Sequence, residues 1–147
     1  MKMMRRILSV FLLLFLTACS QYPDIKKRSA NDDGDLLTGR TWEWVATESV
    51  SGKQMSVAPE RYTVRFDTAG GVQVLIDCNR GGGSYTIEDD ALKLGQLFST
   101  KMACGPGSQD RRFVRDLMQV HSFRLEEGSL YLELSGEGGT MMFRAAP

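Results

Sequence analysis

The stretch CNRGGGSY, Cys78 to Tyr85, lies between two runs in which apolar and polar residues alternate. On its amino side Val72, Val74 and Ile76 share a parity that Cys78 continues. On its carboxyl side Tyr85 and Ile87 alternate with polar neighbours, so both flanks read as half-buried β-strands. A glycine run after a strand invites a phosphate-cradle reading, but that loop needs Gly-Lys-Ser/Thr and then a helix, whereas Ser84-Tyr85-Thr86-Ile87 begins another strand. The glycines are therefore expected to allow a tight bend and positive φ between two strands. Cys78 itself has four readings: nucleophile, metal ligand, neighbour of a bound phosphate, or half of a structural crosslink.

The alternation extends in both directions. Trp42 and Trp44 flank Glu43, and Tyr62, Val64 and Phe66 alternate with Thr63 and Arg65. Leu92 and Leu94 follow the turn Glu88-Asp89-Asp90; Phe123 and Leu125 precede Glu126-Glu127-Gly128-Ser129, with Leu130, Leu132 and Leu134 beyond it. Gly138-Gly139 reads as a two-residue hairpin before Met141 and Phe143. One stretch breaks the period: in SQDRRFVRDLMQVH, residues 108–121, Phe113, Leu117 and Val120 fall at i, i+4 and i+7. That is an amphipathic helix, with Ser108 as its N-cap and Asp110 near its positive end. The expected fold class is α+β: a single small domain, a mostly antiparallel sheet curling into a partial barrel, and one amphipathic helix.

Compartment separates the readings of Cys78. The chain opens MKMMRRILSVFLLLFLTACS, in which basic residues precede an apolar run ending in Leu16-Thr17-Ala18-Cys19. The run is about ten residues long, too short for a bilayer core of about 30 Å, and residues 1–18 read as a secretory signal peptide. The large-small-small-Cys ending resembles the lipobox of bacterial lipoproteins, which would make Cys19 a lipidated (diacylglyceryl, palmitate-type) N-terminus and the membrane its first partner. Ser20 in the next position favours an outer-membrane protein facing the periplasm. Residues 19–35 then form the lipidated cysteine and a polar, unpatterned tether, and residues 36–147 the folded domain.

Signal removal takes Lys2, Arg5 and Arg6 from 18 basic residues and none from 18 acidic ones, leaving a mature net charge of −3. No basic stripe points to a nucleic-acid partner. With Cys19 occupied, the pair Cys78 and Cys104 remains, and in an oxidising envelope an even remainder reads as a disulfide, with both sulfurs expected to face the core. Closing that loop is worth about 3.5 kcal/mol on the chain-entropy account. A Cys/His nucleophile would need His121, the one histidine, which is read instead as interacting with carbonyls at the helix end. A zinc site lacks paired ligand spacing, and no cofactor is expected. The acids at 88–90 read as turn charges, the scattered methionines as core filling, and Trp42 and Trp44 as core rather than an aromatic ligand face.

Three blocks carry a family resemblance: Leu37-Thr38-Gly39-Arg40-Thr41-Trp42, Asp77-Cys78-Asn79-Arg80-Gly81-Gly82-Gly83-Ser84-Tyr85, and Phe98-Ser99-Thr100-Lys101-Met102-Ala103-Cys104. Together they resemble the META domain (HslJ-like) family of bacterial envelope proteins, over residues 36 to 145. Asp77 departs from the pattern, where many members have glycine. The resemblance implies a compact α+β domain, no established enzymatic activity, and roles in heat-shock response, antibiotic tolerance, secretion or virulence. It makes Trp42, Asn79, Gly83, Tyr85, Thr100 and Met102 structural positions, with Asn79 bonding the backbone of the turn after Cys78. The expected function is a lipid-anchored, non-enzymatic interaction or stress-response module that binds an envelope protein or unfolded chain. The alternative is an inhibitor or small-ligand binder, such as a lysozyme inhibitor or a drug-tolerance factor.

Overall fold

A computed structural model describes residues 35–52, 54–56 and 58–147. Residues 1–34, which hold the expected signal peptide, Cys19 and nearly all of the expected tether, lie outside the described residues. Each apolar-alternating run forms a strand, and two short segments that alternation did not mark add β2 and β7: β1 (Thr41–Glu48), β2 (Gln54–Ser56), β3 (Tyr62–Phe66), β4 (Gly71–Ile76), β5 (Asn79–Glu88), β6 (Ala91–Leu94), β7 (Phe98–Ser99), β8 (Val120–Glu126), β9 (Ser129–Leu134) and β10 (Gly139–Ala145). All the strand pairings are antiparallel, in the order β10-β9-β8-β6-β5-β4-β3-β1. β1 then pairs β10 along its length, from Trp42 opposite Ala145 to Glu48 opposite Thr140. The sheet is thus a closed eight-strand barrel, with β2 on β1 and β7 on β5 as short additions.

The expected α+β class with a partial barrel therefore becomes a mostly β closed barrel with one short helix. Alternation specifies which residues face inward but not which distant strand pairs with which, and closure rests on the most distant pairing in the chain. The inward set fills the interior: Trp42, Trp44, Val64, Phe66, Leu130, Leu132, Met141 and Phe143 are fully buried. A barrel of this strand number is narrow enough for side chains to fill.

The helix, α1, spans Asp110–Leu117. Residues 120 and 121 were expected in it but belong to β8, because Val120 pairs with Leu134 and the backbone hydrogen bonds of β9 outbid another half-turn. Gln109 rather than Ser108 occupies the cap position, while Ser108 Oγ accepts the Asp110 N–H at 3.3 Å. Phe113 and Leu117 are fully buried, and the Phe113 ring lies 5.1 Å from that of Trp44 and 5.4 Å from that of Tyr62. The Tyr62 hydroxyl accepts the Gln109 N–H at 2.7 Å, fastening the helix start to the β4–β5 end of β3.

Two turn expectations also change. The β9–β10 connection is the four-residue loop 135–138, with Leu134 opposite Gly139, so Gly138-Gly139 is not a two-residue hairpin. Gly81, Gly82 and Gly83 sit inside β5, not in a bend, and none has positive φ. Their smallness serves close approach: a Cβ on Gly81 would collide with the Phe98 carbonyl, and one on Gly83 would meet the Gln96 carbonyl at 2.6 Å. The run lets the chain at 96–99 lie directly against β5. Gly81→Ala is expected to destabilise the domain by about 1–3 kcal/mol through this clash, whereas Gly105→Ala, with nothing near its Cβ, stays within about 0.5 kcal/mol. Equal thermal midpoints for the two variants would refute the close-approach account.

Candidate functional site

The site is built on the β4–β5 turn. Ile76 pairs with Asn79, leaving Asp77-Cys78 as a two-residue connection. Asp77 is left-handed, φ 59°, a conformation that glycine adopts freely and aspartate tolerates. This turn resets the parity of the chain: Asn79 is the residue that enters the barrel, 5% exposed, while Cys78 is exposed and Cys104 only partly buried. The expectation that both sulfurs face the core is therefore corrected. The disulfide itself is present, with S–S 2.02 Å and Cα–Cα 5.6 Å, and staples the turn to the chain that follows β7. With both sulfurs joined, Cys78 offers no thiolate for nucleophilic or zinc chemistry.

Asn79 works alongside this crosslink, and over a longer range than the expected local turn bond. Its Nδ2 donates to the Met102 carbonyl at 3.0 Å, and its Oδ1 accepts the Met102 N–H and the Thr100 hydroxyl, each at 2.8 Å. The side-chain amide thus pairs with both backbone groups of Met102 as a neighbouring strand would. Thr100 Oγ1 also accepts the Arg80 N–H at 3.2 Å. These bonds and the disulfide hold residues 100–104 in place while Phe98 and Met102 point outward, 67% and 57% exposed. Nothing in the apolar-polar alternation singled out Phe98, which interrupts the strand pattern rather than extending it.

The Asp77 carboxylate is tied to Arg61 (Nε to Oδ1, 2.7 Å), and its N–H donates to the Arg61 carbonyl at 2.6 Å. The nearby Ser108 hydroxyl and then the Arg61 guanidinium hold the Asp77 carboxyl below the usual carboxylate range, although Ser108 does not reach hydrogen-bond geometry and Oδ2 has no partner. Tyr85 serves the opposite end of β4: its hydroxyl donates to the Asp67 carbonyl at 2.5 Å and its ring meets Phe66 edge-on. Burial pushes its phenol up. Trp42 Nε1 donates to the Leu37 carbonyl at 2.9 Å and moors the start of the domain.

Other predicted positions lie apart. His121 is exposed on β8, at the register shift beside Val120, not at a helix end. Glu88, Asp89 and Asp90 are exposed at the β5–β6 turn. Met141 fills core, but Met102 and Met118 are exposed, so the methionines are not uniformly interior. Between residues 99–103 and α1 lies a groove of about 660 Å³ that reaches Ile76 and Asn79.

These features make the described residues a small closed-barrel domain with a disulfide-braced loop and the short helix α1 packed against it. The META domain model matches residues 35–147, and the chain belongs to the META domain family. No curated protein matches the sequence. Among solved structures, a protein from Burkholderia xenovorans has TM-score 0.65 at 23% identity, covering 86% of this chain and 98% of its own. A DUF4847 family protein from Bacteroides vulgatus has TM-score 0.57 at 12% identity, covering 76% of this chain and 96% of its own. At these identities the likeness is one of fold.

Asn79→Ala should cost about 2–4 kcal/mol, since its bonds to Met102 and Thr100 go together with the weaker Nδ2 bonds to the disulfide sulfurs, and the Met102 groups lose their partners. Hydrogen exchange should rise at Met102 and Thr100 before it rises in β9; unchanged protection at Met102 would contradict the clamp. Asp77 is more acidic folded than unfolded, so its charged form favours folding. That contribution is complete above the ordinary aspartate value of about 3.9 and fades as pH falls through the lower folded value. The stability gap between wild type and Asp77→Asn, followed by denaturant titration, should therefore be constant at neutral pH and shrink below about pH 4. A gap that widens in acid would reverse the assignment.

Proposed function

We propose that this META domain protein is a lipid-anchored envelope module that acts by binding rather than catalysis, docking an envelope protein against the braced segment 98–104. The observation that carries the reading is the outward placement of Phe98 and Met102 on backbone held by a disulfide and the Asn79 amide. Large apolar side chains on pre-ordered backbone lose little entropy on binding, the property that makes aromatic and methionine residues effective at interfaces. The signal-like start, the Leu-Thr-Ala-Cys segment and a crosslink suited to an oxidising compartment support attachment through Cys19 at the periplasmic face of the outer membrane.

A photo-crosslinking amino acid at position 98 of the full-length chain, activated in intact cells, should give a discrete adduct. The adduct should be lost with Met102→Ser or Cys19→Ala, while the same probe at exposed Glu127 gives none. No adduct at 98, or the same adducts from both positions, would count decisively against a partner surface here. A second reading, small-ligand binding, is favoured by the groove beside α1.

A further inference from the structure

We infer that the groove between residues 99–103 and α1 binds an amphipathic anion: an apolar chain or ring system ending in a carboxylate or comparable acid. The inference rests on the small-ligand reading and not on partner docking at Phe98, although Met102 borders both surfaces. The groove, at about 660 Å³, is within the range of small-molecule sites.

Its depth is apolar. Ile76, a core residue 2% exposed, and Val114 of α1 line it, so the groove opens onto the edge of the hydrophobic core. Met102, an unbranched and adaptable side chain, forms one wall. Asn79 also reaches the groove, but its oxygen already accepts from Met102 and Thr100 and its amide donates to the Met102 carbonyl, so it adds little polarity to the depth.

The rim is cationic. Lys101, Arg111 and Arg115 line it against a single carboxylate, Asp110. That carboxylate is engaged locally, since Asp110 Oδ1 accepts the Arg111 N–H at 2.7 Å at the start of the helix. Arg115 is held by Asp116, which also binds Arg112. Lys101 and Arg111 have no ion pair or side-chain hydrogen bond among the described residues. Two free cations above an apolar pocket match an acid head on an apolar body. A neutral amphiphile gains only the lower contacts, and a small hydrophilic anion gains only screened surface attraction.

The test uses isotope-labelled full-length protein in nanodiscs of zwitterionic lipid, titrated with octanoate, with octanol for the apolar body alone and with acetate for the charge alone. Octanoate should shift the amide resonances of Lys101, Met102 and Arg111, octanol should bind about tenfold more weakly, and acetate should leave those resonances in place. Lys101→Gln with Arg111→Gln, both surface changes, should weaken octanoate about tenfold and leave octanol unchanged. A short-chain phosphatidylglycerol titrated in parallel separates the two sources of the anion: binding of octanoate alone assigns a free acid, and binding of the lipid assigns a headgroup. Equal affinity for octanoate and octanol, shifts that map away from the groove, indifference to the double variant, or no binding by either anion would each overturn the inference. A crosslink at position 98 would survive all of these results, so the two readings fail separately.

Discussion

The pairing of β1 with β10 is the constraint on which the rest of the molecule depends. It joins the first strand of the domain to the last, and its register sets Trp44 directly opposite Phe143. Both rings then point into one interior, where Phe113 lies 5.1 Å from Trp44 and 6.5 Å from Phe143. Closure also covers the two strand edges that an open sheet would expose to other chains. The loop-closure cost of that pairing grows only slowly with the chain length between the strands, and the buried aromatic area offsets it. The opposite seam is far thinner: β6 meets β8 through the single pair Ala91 and Ser122, reinforced by the Phe123 N–H donating to the Asp90 carbonyl at 3.0 Å.

The chain that joins β6 to β8 carries the candidate site, and it cannot fold by itself. β7 is two residues long and α1 eight, below the length at which an isolated helix holds in water. Five unlike attachments fix it to the barrel: backbone pairing of Phe98 and Ser99 with Gly82 and Gly81, the Asn79 amide, the Cys78–Cys104 bond, the Tyr62 hydroxyl on the Gln109 N–H, and burial of Phe113 and Leu117. Three of these converge on β5 or its preceding turn, so one strand both closes the wall and anchors the insertion. Because the crosslink lies outside the core, its reduction would loosen residues 100–104 without opening the barrel, whose interior does not include either sulfur.

The inward-facing residues were legible because a strand has a period of two and a half-buried wall obeys it. Trp42, Trp44, Val64, Phe66, Val72, Val74, Leu130, Leu132, Met141 and Phe143 could all be read from alternation. The cysteine pair was legible from count: two cysteines fall within the folded domain, and they are joined. The geometry around it was not, because parity carries across a strand but not across a turn, and Asp77-Cys78 shifts the inward position to Asn79. The end of α1 misread for a related reason: Val120 fits a helical stripe and a strand equally well, and only its pairing with Leu134, invisible locally, decides between them. The groove depends on Lys101 and Arg111 converging from two segments, which no spacing in the sequence encodes.

Asp77 shows how a local departure can be absorbed. The turn requires left-handed backbone, for which glycine is the least costly residue, and aspartate accepts a strain there of about 1 kcal/mol. In exchange its carboxylate meets Arg61, on the short 3-10 turn Pro59–Arg61 that leads into β3, while its N–H donates to the Arg61 carbonyl. A glycine could keep the backbone bond and the φ angle but not the ion pair. Arg61 and Asp77 therefore hold the entry to β3 against the exit of β4, in the same turn that turns Cys78 outward toward Cys104 and Asn79 inward toward Met102. The orientation of both tethers on the 100–104 segment follows from one left-handed residue, and aspartate in that position trades the ease of turning that glycine would have for an external support from Arg61.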